Sequence, residues 1–243
     1  MEKVSRVFHR YRRKVVVVLN IGSPIEVASW RDSVDAILLA WQGGQETGRV
    51  VADAVIGKIN PSGKLPTTFP KDYTDVPSWS FPGEPEDDPR RVIYEEGIYV
   101  GYRYYDTFRV DPAYEFGFGL SYTTFEYRNL QIETLNDKII VSFEVINSGK
   151  FPGKEVAQVY VKAPKGRIDK PFQELKGFHK TRLLNPGEAE KIRIEIDFRE
   201  LASFDGEVWL TEKGEYELRV GASSRDIRLK DIFTLTEEKR YKP

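Results

Sequence analysis

Carboxylates are the side chains in this 243-residue chain whose types and placing come nearest to chemistry. Glu95 and Glu96 precede a glycine inside a run of aromatic residues, and Asp106 follows Tyr104-Tyr105. Acids among aromatic rings suit a sugar: the rings stack on its apolar C–H faces while the carboxylates accept hydrogen bonds from its hydroxyls. The same acids can instead tie two folded bodies together, and that is the preferred assignment. Glu46 opens an expected helix, where an acid offsets the positive helix end, a capping role preferred over catalysis. The acids at 84–88 read as a solvated loop.

Other chemistries have weaker footing. His9 and His179 are the only histidines and show no metal-ligand spacing, so both read as structural and no metal is expected. Gly22-Ser23-Pro24 is a turn after a strand, not a nucleophile elbow. Gly117-Phe118-Gly119 lacks the third glycine of a dinucleotide fingerprint, and no phosphate loop is present. With no cysteine there is neither a disulfide framework nor a thiol nucleophile. A net charge of -1, from 37 basic and 38 acidic residues, gives no electrostatic case for nucleic acid or an anionic membrane. Charged residues make up 31%, which leans towards a heat-adapted surface rich in ion pairs. The basic start lacks an apolar stretch of about 7–15 residues and a cleavage site, and no run approaches the ~20 apolar residues of a membrane span. A soluble, cytoplasmic protein is expected.

The elements that position these residues change character along the chain. Residues 2–13 place Val4, Val7, Phe8 and Tyr11 at helical spacing without a cap ahead of them, as in the tail of a longer helix. KVVVVLN (14–20) and VDAILLAW (34–41) read as strands buried on both faces, with a short helix over IEVASW (25–30) between them. A helix is expected over Gln45 to Ile59 with Val50, Val51, Ala54 and Val55 inward, followed by a short strand at LPTTFP (65–70). This order predicts a parallel α/β sheet, but too few elements to cover both faces, so residues 1–70 are expected to be half of an α/β domain. Residues 71–93 carry four prolines and read as an extended connector. The stretch from Tyr94 to Tyr127 is rich in rings and interrupted by glycines; it fits neither period and suits mortar between two bodies, so 71–123 is assigned as an interdomain linker. From residue 124 to 243, about seven short alternating runs, separated by turn signals such as Asn136-Asp137 and Lys213-Gly214, predict an antiparallel β-sandwich. Ile192, Ile194 and Ile196 alternate with charged residues, giving one core face.

Three long segments, GGQETGRVVADAVIGKINPSGKLPTTFP (43–70), YEEGIYVGYRYYD (94–106) and FGFGLSYTTFEY (116–127), resemble in order and spacing the C-terminal part of glycoside hydrolase family 3, nearest to three-domain, heat-stable bacterial β-glucosidases. The resemblance covers essentially the whole chain. It implies a (β/α)8-type barrel followed by an α/β sandwich and a fibronectin type III-like domain, and retaining hydrolysis of terminal β-D-glucosyl residues, or of xylosides or N-acetylglucosaminides in relatives, without a cofactor. In that family the nucleophilic aspartate lies on the barrel and the acid/base glutamate on a loop of the α/β sandwich. Both fall upstream of Met1, so no catalytic residue is carried over. Retaining enzymes need two carboxyl groups about 5–5.5 Å apart, which this stretch is not expected to supply.

The expected lineage is therefore a β-glucosidase whose 243-residue C-terminal portion is inactive alone, meeting its glucoside or oligosaccharide through the missing N-terminal barrel. A separately encoded N-terminal chain is one alternative; a non-catalytic fibronectin-like module that stabilises a partner or binds polysaccharide is another. Trp41 ends a strand, where sheet-borne loops meet ligands. Trp41, Tyr94 and Glu96 are the candidate substrate-side residues.

Overall fold

The computed structural model describes residues 1–79, 88 and 90–243. Most of the expected solvated acids at 84–88, and with them the middle of the connector, lie outside the described residues. The chain opens with α1 (Glu2–Arg10), then β1 (Val16–Leu19) and β2 (Ala36–Leu39), which pair in parallel from Val16 with Ala36 to Leu19 with Leu39. The β-branched run does form a parallel strand. Its neighbours in this chain leave Val16 and Val18 exposed, together with Val4, Val7, Phe8 and Tyr11 of α1 and the residue after it.

Three local expectations for this half are corrected. IEVASW is not a helix: Glu26 takes up Ser29 through its backbone N–H (2.7 Å) and its hydroxyl (2.8 Å), and such side-chain bonds compete with helix formation. Only a short 3-10 turn follows, at Arg31–Ser33. The next helix, α2 (Thr47–Val55), is shorter than Gln45 to Ile59, because Gly44 and Gly57 adopt φ of 68° and 76° on either side of it. Ala54 is its one fully buried residue, while Val50 and Val55 face solvent. LPTTFP makes an isolated bridge from Phe69 to Tyr114 rather than a strand, since Pro66 and Pro70 have no N–H to donate to a ladder. A short helix, α3 (Tyr102–Thr107), stands inside the aromatic stretch, where no helical spacing was apparent.

The remainder is an antiparallel sandwich. One sheet runs β11 (Ile227–Leu235), β10 (Gly214–Gly221), β5 (Val156–Lys162), β6 (Glu174–Lys180); the other runs β3 (Phe125–Leu135), β4 (Lys138–Asn147), β7 (Ala189–Asp197). These are the seven expected runs. Their edges meet where β6 approaches β7 and β3 approaches β11. At Gly177 of β6 an added Cβ would come within 2.6 Å of Ile194 on β7. The inward faces contribute Ile139, Val141, Phe143 and Val145 of β4, Val159 of β5, Ile192 and Ile196 of β7 and Leu218 of β10 to one cluster. Alternation explains this: a strand half covered by its partner sheet needs apolar residues at every second position. A small sheet of β8 (Ser203–Phe204), β9 (Trp209–Thr211) and β12 (Lys239–Tyr241) was not legible in the sequence, its strands being too short to show a period. No helix among the described residues is long and apolar enough to cross a membrane.

Candidate functional site at the domain junction

Residues 94–122 run between the two halves and bond to both. Towards the α/β half, Phe69 donates its N–H to Tyr114 O (2.8 Å) and accepts from Ala113 N (2.8 Å), while Leu65 and residues 117–118 exchange a second pair of backbone bonds. Phe69 meets Tyr114 edge to face at 6.3 Å, and Tyr114 stacks on Phe118 at 5.0 Å. Asn60 gives Nδ2–H to Pro152 O (3.0 Å) and accepts at Oδ1 from Ser121 Oγ (3.0 Å) and Tyr122 N (2.9 Å). One asparagine after α2 thus touches linker and sandwich together.

Towards the sandwich, Tyr102 stacks on Phe116 at 4.7 Å and meets Tyr160 of β5 edge to face at 5.9 Å. Gln158, buried in the same strand, donates to Gly117 O (3.1 Å) and Ala222 O (2.8 Å) and accepts from Tyr160 OH. Gly117 sits at φ 80°, and a Cβ there would come within 2.1 Å of Gln158 Oε1, so only glycine fits. Burial pushes the Tyr105 hydroxyl up to about 12 and raises Tyr160 further, so both rings serve as neutral packing groups.

The buried acids are committed to structural partners. Asp106 accepts from Arg225 Nε (3.0 Å) and Gln173 Nε2 (2.9 Å), and burial nevertheless raises its pKa. Glu155 takes Val156 N (2.7 Å) and pairs with Lys64 (2.9 Å), and Glu212 takes Arg167 N (2.9 Å) and Lys170. Asp106 thus ties the aromatic stretch to the sandwich, since both of its partners lie there. Glu46 stands at the N-cap of α2 but makes no side-chain cap; Thr47 bonds back to Gly44 O instead (2.7 Å). His9 bonds Asp35 and His179 bonds Glu190, each at 2.8 Å. Among the described residues no three His, Asp or Glu side chains gather as a cation site.

Of the candidate substrate-side residues, Trp41 follows β2 at φ 50°, a left-handed conformation rare for a bulky residue, with its ring 6.4 Å from Phe69. Tyr94 is 82% exposed. Glu96 opens a turn closed by Tyr99 N to its carbonyl (2.9 Å), and its Oε2 is buried without a partner. Tyr94 opens the overlapping turn before it, closed by Gly97 N to its carbonyl (3.4 Å), while no hydrogen bond or ring contact among the described residues joins either to Trp41. Gln158 and Arg225 escaped sequence reasoning. Gln158 left one trace, a polar residue at the centre of the apolar run VAQVYV.

A family profile described as the glycosyl hydrolase family 3 C-terminal domain matches residues 2–102, and a fibronectin type III-like domain matches residues 155–224. The chain is 46% identical over 224 residues to thermostable beta-glucosidase B of Acetivibrio thermocellus, covering 89% of this chain and 29% of that protein. The solved structure of beta-glucosidase 3B from Thermotoga neapolitana in complex with alpha-D-glucose superposes with a TM-score of 0.96 at 67% identity, over 100% of this chain and 34% of that one. Beta-glucosidase from Kluyveromyces marxianus in complex with glucose gives a TM-score of 0.87 at 38% identity, over 93% and 27%. The chain therefore spans about a third or less of the length of these relatives.

Proposed function

The chain belongs to glycoside hydrolase family 3, corresponding to the C-terminal part of its β-glucosidases, and on that premise we propose that it scaffolds hydrolysis of terminal non-reducing β-D-glucosyl residues without performing it alone. The observation that carries the proposal is superposition of the entire chain on the C-terminal third of a glucosidase structure holding glucose. A retaining hydrolase needs one carboxyl group as acid and another as nucleophile, about 5–5.5 Å apart across the glycosidic bond. Asp106, Glu155 and Glu212 are already held by arginine, lysine, amide or backbone donors, which leaves them unsuited to either role. In this proposal both catalytic carboxyls come from sequence upstream of residue 1, in the same polypeptide or in a separate chain. Tyr94, Glu96 and Trp41 then border the substrate cleft, with Tyr94 the most exposed of the three. The named thermostability of the Acetivibrio relative, and ion pairs such as Glu217 with Arg219 (2.7 Å), support heat adaptation here as well.

Residues 1–243 alone, assayed on a chromogenic aryl β-glucoside, are expected to show no turnover above buffer. Hydrolysis that survives repurification would overturn the proposal. A second reading, a carbohydrate-binding or stabilising module, is favoured by one feature, the complete core of the sandwich. Retention on a polysaccharide column separates it from the first.

A further inference from the structure

The Tyr94–Ile98 turn has little to hold it in place by itself. Tyr94, Ile98 and Val100 are exposed, and Gly97 and Gly101, at φ 54° and 57°, have open space where a Cβ would stand. The residues just after it are held by two regions of the sandwich. From β6 and the loop before it, Asp169 accepts from Tyr99 OH, Phe172 N–H donates to Thr107 Oγ1 (2.8 Å), Glu174 pairs with Arg103 (2.9 Å) and Leu175 N–H donates to Tyr102 OH (2.8 Å). From the turn between β10 and β11, Arg225 donates Nε to Asp106 Oδ1 (3.0 Å), Nη1 to Asp111 Oδ1 (3.3 Å), and Nη2 to both Tyr105 O (3.1 Å) and Val110 O (2.7 Å). Gln173 closes the set, joining Asp106 Oδ2 (2.9 Å) to Ser224 O (2.7 Å).

We propose that the β-sandwich sets the position of the segment 94–101, which carries that turn, with Arg225 as the positioning residue. The physical reason is the planar fork of the guanidinium, which meets four acceptors on one short segment at once. Helix α3 carries that constraint to Gly101, and Tyr99 pins the near end of the turn. The sandwich would thereby act on substrate recognition through a segment that it cradles. This consequence rests on the proposed glucosidase reading, in which Tyr94 and Glu96 face the sugar; the cradle itself does not.

The test is amide exchange by mass spectrometry on residues 1–243, comparing the parent with Arg225→Ala, Arg225→Lys and Asp169→Ala. Exchange across 94–107 is expected to rise at least about tenfold in Arg225→Ala and less in Arg225→Lys, with β4, β5 and β7 unchanged. If Arg225→Ala does not fold, Asp169→Ala is expected to raise exchange over 94–101 by about threefold. Unchanged exchange over 94–107 in the folded variants, or an equal rise throughout the sandwich, would overturn the proposal. In a chimera placing this stretch behind the upstream two-thirds of the Thermotoga neapolitana enzyme, Arg225→Lys is expected to raise KM for an aryl β-glucoside about threefold to tenfold with kcat retained. Faster exchange with unaltered KM would keep the cradle and reject the roles of Tyr94 and Glu96.

Discussion

Between Phe125 and Leu235, twenty buried side chains form one cluster, while the cluster beside β1 and β2 has three among the described residues: Val27, Phe69 and Ala113. Burying a side chain of the Val, Leu or Phe class contributes about 1.5–3 kcal/mol, so the sandwich outweighs the α/β segment several-fold. The segment's composition does not explain the difference. Val4, Val7, Phe8, Val16, Val18, Val50 and Val55 are as apolar as the sandwich's residues, but this stretch of chain supplies nothing to cover them. The contrast shows that apolar sequence makes a core only where the second face is also encoded. It also accounts for the distribution of ties: the less self-sufficient half is held to the sandwich by Asn60 and Lys64, and to the joining stretch by the Phe69–Tyr114 ring contact.

The comparison can be broken by substitution. Phe143→Ala, in the centre of β4 and 2% exposed, is expected to lower the stability of the sandwich by about 3–5 kcal/mol in urea unfolding. Val50→Ala on α2 is expected to stay within about 0.5 kcal/mol. Similar losses at the two sites would remove the distinction. A smaller effect is expected at Asn147, which donates to Phe151 O and Leu184 O (2.8 Å each) and accepts from Thr123 Oγ1 (2.7 Å). Asn147→Ala leaves those groups buried without partners, for a loss of about 1–3 kcal/mol by the same method.

The smallest expected effect depends on pH. Lys14, then the Val15 N–H and His9, hold the Asp35 carboxyl well below the ordinary carboxylate range. Its stabilisation is thus complete above the unfolded value of ~3.9 and is lost as pH falls from there through the lower folded-state value. Peptic cleavage between residues 11 and 39 is expected to accelerate in that acid window, and Asp35→Asn should flatten the dependence. An unaltered profile in the variant would assign the acid sensitivity elsewhere.

How much could be seen in the sequence follows the same division. KIIVSFEVIN alternates so strongly, and Asn136 adopts its left-handed turn so readily (φ 52°), that the β3–β4 hairpin is legible from local residues alone. IEVASW misled because Glu26 spends its carboxylate on Ser29, a local bond that periodicity does not register. The partners of the aromatic stretch were not legible in the sequence. Gln158 reaches Gly117 and Arg225 reaches Asp106 across more than 40 and 100 residues, and such partners leave no spacing to read. The family resemblance supplied what local pattern did not, namely which chemistry to look for.

Native-state amide exchange over the whole chain tests the contrast most directly. Amides of β1 and β2 are expected to exchange at least about a hundredfold faster than those of β4, β5 and β10, since their strands have one partner each and exposed faces. Equal protection in the two regions would contradict the account.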